Sequence, residues 1–209
     1  MNKYLKYILL LSVIFLAGYK SVYLKKLSTM KDPVNEKFDA VVFTKKLWVK
    51  KLPAKLEAAV ELSTLMEMVK ANPGEAFSKY SNALGIGNYR YSLVKTEGSV
   101  TAINPDDITL QIKSGDSALN VMLATEYIYG NAIRDASALV DIKDFTNNMD
   151  LNNISEEMNK KVRYEILPFF KRNVKKGDHV NVTGAIELNA AHIKFNGIEI
   201  IPVSLKITQ

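Results

Sequence analysis

The feature that most constrains this chain is a change of hydrophobic period at Tyr89. Downstream of this residue apolar and polar side chains alternate, as they do in strands that bury one face. Two clusters of turn-forming residues, Asn104-Pro105-Asp106 and Ser114-Gly115-Asp116, break the alternation. The predicted strands are residues 89–103 (interrupted at Gly98), 108–112, 118–129, 179–188 and 198–207, and residues 153–172 form a predicted helix. The predicted order is therefore β-β-β-α-β-β.

This order is the plan of the OB-fold, a five-stranded β-barrel with one helix between its third and fourth strands. Gly98 suits the bulge or tight bend at which a long first strand turns to serve both sides of the barrel. Val180 and Val182 share one face of the fourth strand, and we expect both to point inward. A small α+β sheet with another connectivity would produce the same order of elements. The predicted fold class is α+β, an OB-like barrel preceded by a helical extension.

The segment before the strands has the apolar spacing of helices. We assign residues 31–88 to a helical extension and residues 89–209 to the OB-like domain. Up to Val69, with Pro53 between its two parts, the pattern predicts an amphipathic helix pair or one kinked helix. Asn72 followed by Pro73 predicts a helix N-terminus, and the helix that follows is expected to end near Leu84.

The N-terminal segment, residues 1–30, is typical of an export signal. An apolar run from Tyr7 to Tyr19 lies between lysines, and a bilayer core needs about 20 apolar residues, so a span would have to extend over residues 4–24. Tyr19 stands where a lipoprotein carries its lipid-bearing cysteine, and the chain has no cysteine. We therefore predict an uncleaved signal anchor, a transmembrane helix that holds the domain on the periplasmic side of the inner membrane. A buried core helix is the alternative.

The positive charge is confined to one part of the chain. Residues 20–55 carry ten lysines against three acidic residues, a balance of plus seven, whereas residues 56–209 carry sixteen basic against nineteen acidic residues, a balance of minus three. The basic segment is either attracted to anionic lipid or a solvated helical face. Because the domain itself is acidic and is predicted to be exported, we expect no nucleic-acid partner.

The sequence contains no recognisable catalytic motif. His179 and His192 are the only histidines, and their spacing matches no metal site, so we predict surface histidines, no metal and no cofactor. Gly85-Ile86-Gly87-Asn88 follows a predicted helix and is better explained as a helix end and turn than as a nucleotide-binding loop. Two alternatives to a binding protein stay open: a glycan hydrolase that uses dispersed carboxylates, and a structural tether of the envelope.

A polar cluster follows the third predicted strand. It combines aromatic, amide and charged side chains: Tyr127, Tyr129, Asn131, Arg134, Asp135, Asp144, Asn147 and Asn148. Such a group can line a small-molecule pocket, with Arg134 binding a carboxylate and the tyrosines stacking on a ring. The alternative is that Arg134 pairs with a carboxylate of the protein while Asn147 shapes a turn or a helix cap.

Several segments resemble a bacterial family of predicted periplasmic lipoproteins, a domain of unknown function. They are Val22-Tyr23-Leu24-Lys25-Lys26-Leu27, Leu84-Gly85-Ile86-Gly87-Asn88, Gly130-Asn131-Ala132-Ile133-Arg134-Asp135-Ala136, Asp144-Phe145-Thr146-Asn147 and Ile201-Pro202-Val203. Members of this family are often encoded beside sugar ABC-transporter components, so the resemblance implies an accessory role in sugar uptake, with the transporter or other envelope proteins as partners. It implies no reaction. The missing cysteine departs from the lipoprotein description.

Overall fold

The computed structural model describes residues 3–21, 38–115 and 117–208, and the chain divides into two units, residues 1–38 and residues 39–209. The first unit contains helix α1 (Lys3–Ser21). In the described part of the chain, no helix has both the length and the apolar character needed to cross a membrane. The predicted transmembrane span through residues 4–24 is therefore not supported: α1 contains Lys6 and Lys20, which leave only a short apolar stretch between them. Residues 22–24 lie outside the described residues.

The second unit begins with four helices and a short strand. They are α2 (Ala40–Lys50), α3 (Leu52–Glu57), β1 (Val60–Glu61), α4 (Leu62–Ala71) and α5 (Pro73–Tyr80). The Asn72 side chain accepts a hydrogen bond from the Glu75 amide at 3.3 Å, which confirms the predicted cap. Helix α5 ends four residues before the expected Leu84, because Asn82 pairs with Tyr91 in a short β-bridge.

Five longer strands follow, with helices between the third and the fourth. The strands are β2 (Tyr89–Ile103), β3 (Asp107–Ser114), β4 (Ser117–Ala124), β5 (His179–Asn189) and β6 (Glu199–Thr208). The intervening elements are α6 (Ala132–Ser137), a 3-10 turn (Ile142–Asp144), α7 (Asn148–Lys161), a π-helical segment (Val162–Ile166) and α8 (Leu167–Asn173). The predicted order of these five strands along the chain, with helical structure between the third and the fourth, is confirmed.

The strands form a mixed six-stranded sheet, with β1 as an addition that the sequence did not indicate. The order is β1-β2-β3-β4-β6-β5, and β2 also pairs with β5. The first part of β2 pairs with β5 from Tyr89 to Ser99, and its last part pairs with β3 from Gly98 to Ile103. The pairings of the five long strands thus form a closed cycle, in which only β4 and β6 run parallel.

Gly98 lies where β2 passes from one partner strand to the other. The strand is continuous there, so the predicted interruption at Gly98 is wrong, and the register shift lies between Val100 and Ala102. A Cβ atom at Gly98 would lie 2.6 Å from the Gln111 carbonyl oxygen on β3. Glycine is needed here for close approach of two backbones.

The core lies between the inward faces of the strands and the helices that cover them. Val180 and Val182 are buried, as predicted. Leu65 and Phe77, from the segment assigned to the helical extension, belong to the same core cluster as Val180. Burial of this apolar surface is the main favourable contribution to the stability of the fold.

The connection from β4 to β5 differs from its prediction in three places. β4 ends at Ala124 instead of Tyr129, α6 was not expected, and the long helix begins at Asn148 instead of Asn153. The π-helical segment ends two residues before Pro168, which has no amide hydrogen and would clash with a carbonyl of the preceding helical turn. The wider turn accommodates this proline within one continuous helical run.

Candidate functional site

An open cleft of about 850 Å³ lies at one end of the sheet. Its floor comes from the adjacent strands β2 and β5, where Tyr89 pairs with Asn189. One wall is the segment from Tyr127 to Ala132 after β4, and the other is formed by the loop between β5 and β6. The fold therefore brings together side chains from three separate parts of the chain, at residues 89, 127–132 and 185–201.

Three tyrosines provide the aromatic surface of the cleft. Tyr89, Tyr127 and Tyr129 are 50%, 65% and 61% exposed. The guanidinium carbon of Arg163 lies 5.0 Å from the centroid of the Tyr129 ring, and Arg163 also donates hydrogen bonds to the Ile128 carbonyl and to the Glu156 carboxylate. These contacts hold the tyrosine wall against the helical segment behind it. Large, exposed aromatic rings beside polar groups are typical of recognition surfaces.

A buried ion pair supports the same wall. Arg134 Nε donates to Asp135 Oδ1 at 2.7 Å, and both side chains are less than 10% exposed. Arg134 Nη1 also donates to the Leu151 carbonyl at 3.1 Å, which connects α6 to α7. Asn131, which lines the cleft, donates from its Nδ2 to Asp135 Oδ2 at 2.5 Å. The ion pair thus orients a side chain of the cleft.

A tyrosine continues this polar network to the floor of the cleft. The Tyr91 hydroxyl donates to Asn131 Oδ1 at 3.4 Å, and Tyr91 lies directly opposite Glu187 on β5. Burial raises the pKa of Tyr91 to about 12, and the negative charge of Glu187 contributes to this shift. The phenol therefore remains protonated at neutral pH. The hydrogen-bonded network runs from Arg134 through Asp135 and Asn131 to Tyr91, with Glu187 opposite Tyr91 on the neighbouring strand.

Two carboxylates, Glu187 and Glu199, line the cleft from different strands. Partial burial raises the pKa of Glu199, and the negative charges of Asp107 and Glu187 raise it further. His192 and Lys194, from the loop between β5 and β6, line the same cleft. The site thus offers hydrogen-bond acceptors and donors around an aromatic surface.

Seven of the eight residues of the predicted polar cluster fall into three groups, and the eighth, Asn148, is the first residue of α7. Tyr127, Tyr129 and Asn131 line the cleft, and Arg134 and Asp135 lie behind it as the buried pair. Asp144 is exposed in the 3-10 turn, and Asn147 caps α7 by accepting from the Asp150 amide at 2.9 Å; neither lines the cleft. Ligand binding by these residues stays a prediction.

Several other lining residues were missed because they come from the strands. Tyr89, Glu187 and Glu199 lie on β2, β5 and β6, which sequence analysis treated as scaffold. The available signal was the alternation itself, which predicts which side chains of a strand face away from the core. His192, predicted to be a surface histidine, is exposed at the cleft.

Across residues 3–21, 38–115 and 117–208, no group of three or more histidine, aspartate or glutamate side chains is arranged to hold a metal ion.

The chain is similar in structure to an OB-fold protein from Thermotoga maritima. The sequence identity is 25%, the TM-score is 0.71, and the match covers 82% of this chain and 99% of the other. The second unit therefore has an OB-type fold, built on the mixed sheet described above. A comparison with the S. pombe Stn1–Ten1 complex gives 16% identity and a TM-score of 0.25 over 56% of this chain and 58% of the other. Nothing is inferred from so low a TM-score.

Comparison with curated proteins found no match. A family model described as "Predicted periplasmic lipoprotein (DUF2291)" matches residues 12–206. This match covers nearly all of the second unit, including every residue of the cleft, and part of α1.

Proposed function

Because the chain belongs to the family of predicted periplasmic lipoproteins, we propose that it is a binding protein of the bacterial cell envelope that holds a carbohydrate in the tyrosine cleft. The family description supports an extracytoplasmic location. The observation that carries the proposal is the arrangement of Tyr89, Tyr127 and Tyr129 around polar and charged groups in one cleft. We take the closed cycle of five strand pairings to be an OB barrel that presents this cleft.

Carbohydrate suits this lining for two physical reasons. The C–H face of a sugar ring is apolar and stacks on an aromatic ring, while its hydroxyls exchange hydrogen bonds with amides and carboxylates. Asn131, Asn189 and Glu187 provide such groups beside the tyrosines. OB-folds also bind oligosaccharides through surfaces that include the loop between their last two strands, and His192 and Lys194 come from that loop here.

We further propose that the protein serves as an accessory to a sugar ABC transporter and is attached to the inner membrane through its N-terminal unit. The resemblance to a family encoded beside such transporters supports the first part. The lysine-flanked apolar helix α1 supports the second. A crosslinking pull-down from intact envelopes tests the first part, since transporter subunits should be recovered with the wild-type protein. Fractionation tests the second, since the full-length protein should be recovered with the inner membrane.

The binding proposal can be tested by calorimetric titration with a panel of mono- and oligosaccharides. Tyr127→Ala and Tyr129→Ala should each weaken binding roughly tenfold, the loss expected when about 1.4 kcal/mol of stacking is removed. Tyr164→Ala is a matched control, because Tyr164 is 70% exposed and does not line this cleft. If no saccharide binds the folded protein, or the Tyr164 variant loses affinity equally, the proposal is wrong.

A specific observation also favours a second candidate, glycoside hydrolysis. Glu187 and Glu199 line one cleft, and their mutual repulsion contributes to the raised pKa of Glu199. Protonated Glu199 would give its proton to the leaving glycosidic oxygen while Glu187 takes a proton from the water that attacks the anomeric carbon. Glu199→Gln and Glu187→Gln should then each abolish the release of reducing sugar from envelope glycans. If the wild-type protein binds but does not cleave, the cleft is a binding site only.

A further inference from the structure

Helix α2 has an apolar ridge on its solvent side. The buried side of the helix carries Thr44 and Leu47, and the helix packs against α7. Val42 and Val49 lie two turns apart on the opposite side and are 63% and 65% exposed. These two valines place apolar surface on the side of α2 that faces solvent.

Lysines border this ridge on both sides. At 100° per residue, Lys45 and Lys46 fall on opposite flanks of the line joining Val42 to Val49, and both lysines are exposed. Within the described residues none of Lys45, Lys46 and Lys50 forms an ion pair. The face therefore combines shallow apolar side chains with lysines that form no ion pair, although Lys45 lines a surface hollow together with Glu157 and Glu165.

We propose that this face of α2 lies on the surface of an anionic lipid bilayer and fixes the orientation of the second unit on the membrane. An apolar ridge flanked by lysines is the pattern of helices that rest in the interface, with the apolar side chains among the acyl chains and the ammonium groups at the phosphates. Charge complementarity selects anionic lipid as the partner. The inference does not depend on what the cleft binds.

The position of α2 along the chain agrees with a lipid bilayer as the surface that this face contacts. Only residues 22–39 separate α2 from α1, a length that spans at most about 60 Å when fully extended. If α1 is held at a bilayer, α2 therefore stays within reach of the same surface. The alternative is that a protein partner binds the ridge formed by Val42 and Val49. The experiment must therefore distinguish lipid from protein at this face.

Trp48 provides a fluorescence signal close to the ridge, since it is the only tryptophan and lies on the flank of α2 where Lys161 Nζ is 5.8 Å from its ring centroid. Full-length protein would be reconstituted into phosphatidylcholine vesicles with and without phosphatidylglycerol, each containing lipids brominated near the headgroup end of the acyl chain. We expect Trp48 fluorescence to be quenched in the anionic vesicles, and added salt to reduce the quenching.

Charge reversal provides the decisive comparison. The double variant Lys45→Glu/Lys46→Glu should lose most of the lipid-dependent quenching, with its contact population falling roughly tenfold. Lys175→Glu/Lys176→Glu changes the charge equally at an exposed turn far along the chain from α2 and should behave as wild type. Unchanged melting temperatures would show that both variants remain folded. Val42→Ser/Val49→Ser separates the apolar contribution, and it should also reduce quenching.

The proposal is overturned if quenching is equal with and without phosphatidylglycerol, or if the Lys45→Glu/Lys46→Glu variant is quenched like wild type. It is also overturned if a photocrosslinker at Val42 in intact envelopes captures one protein stoichiometrically and no lipid, because that result would assign the ridge to a protein interface.

Discussion

Replacing Arg134 by alanine would leave a buried carboxylate without its cation. Asp135 is 1% exposed, and its side chain is paired with Arg134 at 2.7 Å. Breaking a buried ion pair by removing one partner typically costs about 3–5 kcal/mol. Asn131 still donates to Asp135 in the variant, which offsets part of the loss, while the Leu151 carbonyl loses its hydrogen bond from Arg134. We therefore expect a loss of roughly 3 kcal/mol in the free energy of unfolding.

This loss is measurable by thermal and urea unfolding. For a protein of this size it corresponds to a fall of roughly 6–12 °C in Tm. Arg172→Ala is the matched control, because Arg172 is exposed and forms no ion pair in the described part of the chain; its Tm should change little. Arg134→Ala/Asp135→Asn should be less destabilised than the sum of the two single variants, since the stranded charge is removed.

Two results would refute the reasoning. A soluble Arg134→Ala variant with the wild-type Tm would show that the ion pair contributes nothing to stability and would restore Arg134 as a direct ligand-binding residue. Additive losses in the double variant would show that the two side chains do not interact. Either result would contradict the conclusion that the Arg134–Asp135 pair orients Asn131 at the cleft.

Three further predictions follow from burial, close approach and charge. Val182→Asp should prevent cooperative folding, because an unpaired charge would lie in the core, and a normal urea midpoint would contradict the inward orientation. Gly98→Ala should lower the free energy of unfolding by roughly 2 kcal/mol, since its Cβ would meet the Gln111 carbonyl. Gly85→Ala should not lower it, because a Cβ at Gly85 would meet nothing within 4 Å. Equal urea midpoints for the two variants would refute the close approach. The pKa of Glu199 in the folded protein is raised above its usual 4.5. The ionised carboxylate therefore destabilises the folded state once the pH exceeds this raised pKa, and the penalty is absent below the pKa that Glu199 has in the unfolded chain. Glu199→Gln should therefore raise Tm at pH 7 but not at pH 4, and equal shifts at both values would contradict the pKa direction.

The strands were largely predictable because each strand buries one face, so that apolar and polar residues alternate along it over several residues. The same rule failed at two places. β1 contains only Val60 and Glu61, too few residues to show a period, and it forms by pairing with β2. The predicted extension of the third strand to Tyr129 was wrong because Ile128 is buried through a turn, in which its amide bonds to the Glu126 carbonyl, and not through a strand ladder.

The site was only half predictable for a related reason. Tyr127, Tyr129 and Asn131 are close in sequence, so their composition alone marked them. Glu187 and Glu199 are contributed by strands whose positions depend on which strands pair, and the β2–β5 pairing brings Glu187 opposite Tyr91. A cluster assembled across strands carries no local signal, because each member looks like an ordinary outward-facing residue of its own strand.

Arg134 illustrates how burial decides between two interpretations that the sequence leaves open. An arginine beside an aspartate fits either a ligand clamp or an internal pair, and its low exposure and contact with Asp135 establish the internal pair. Yet the pair is connected to the proposed binding cleft, because Asp135 accepts a hydrogen bond from Asn131, and Asn131 lines the cleft and accepts a hydrogen bond from Tyr91. A ligand that contacts Asn131 therefore acts on the same network that holds α6. Binding should stabilise the wild-type fold by linkage, and this stabilisation should be smaller in the Arg134→Ala variant, whose Asn131 is held less firmly.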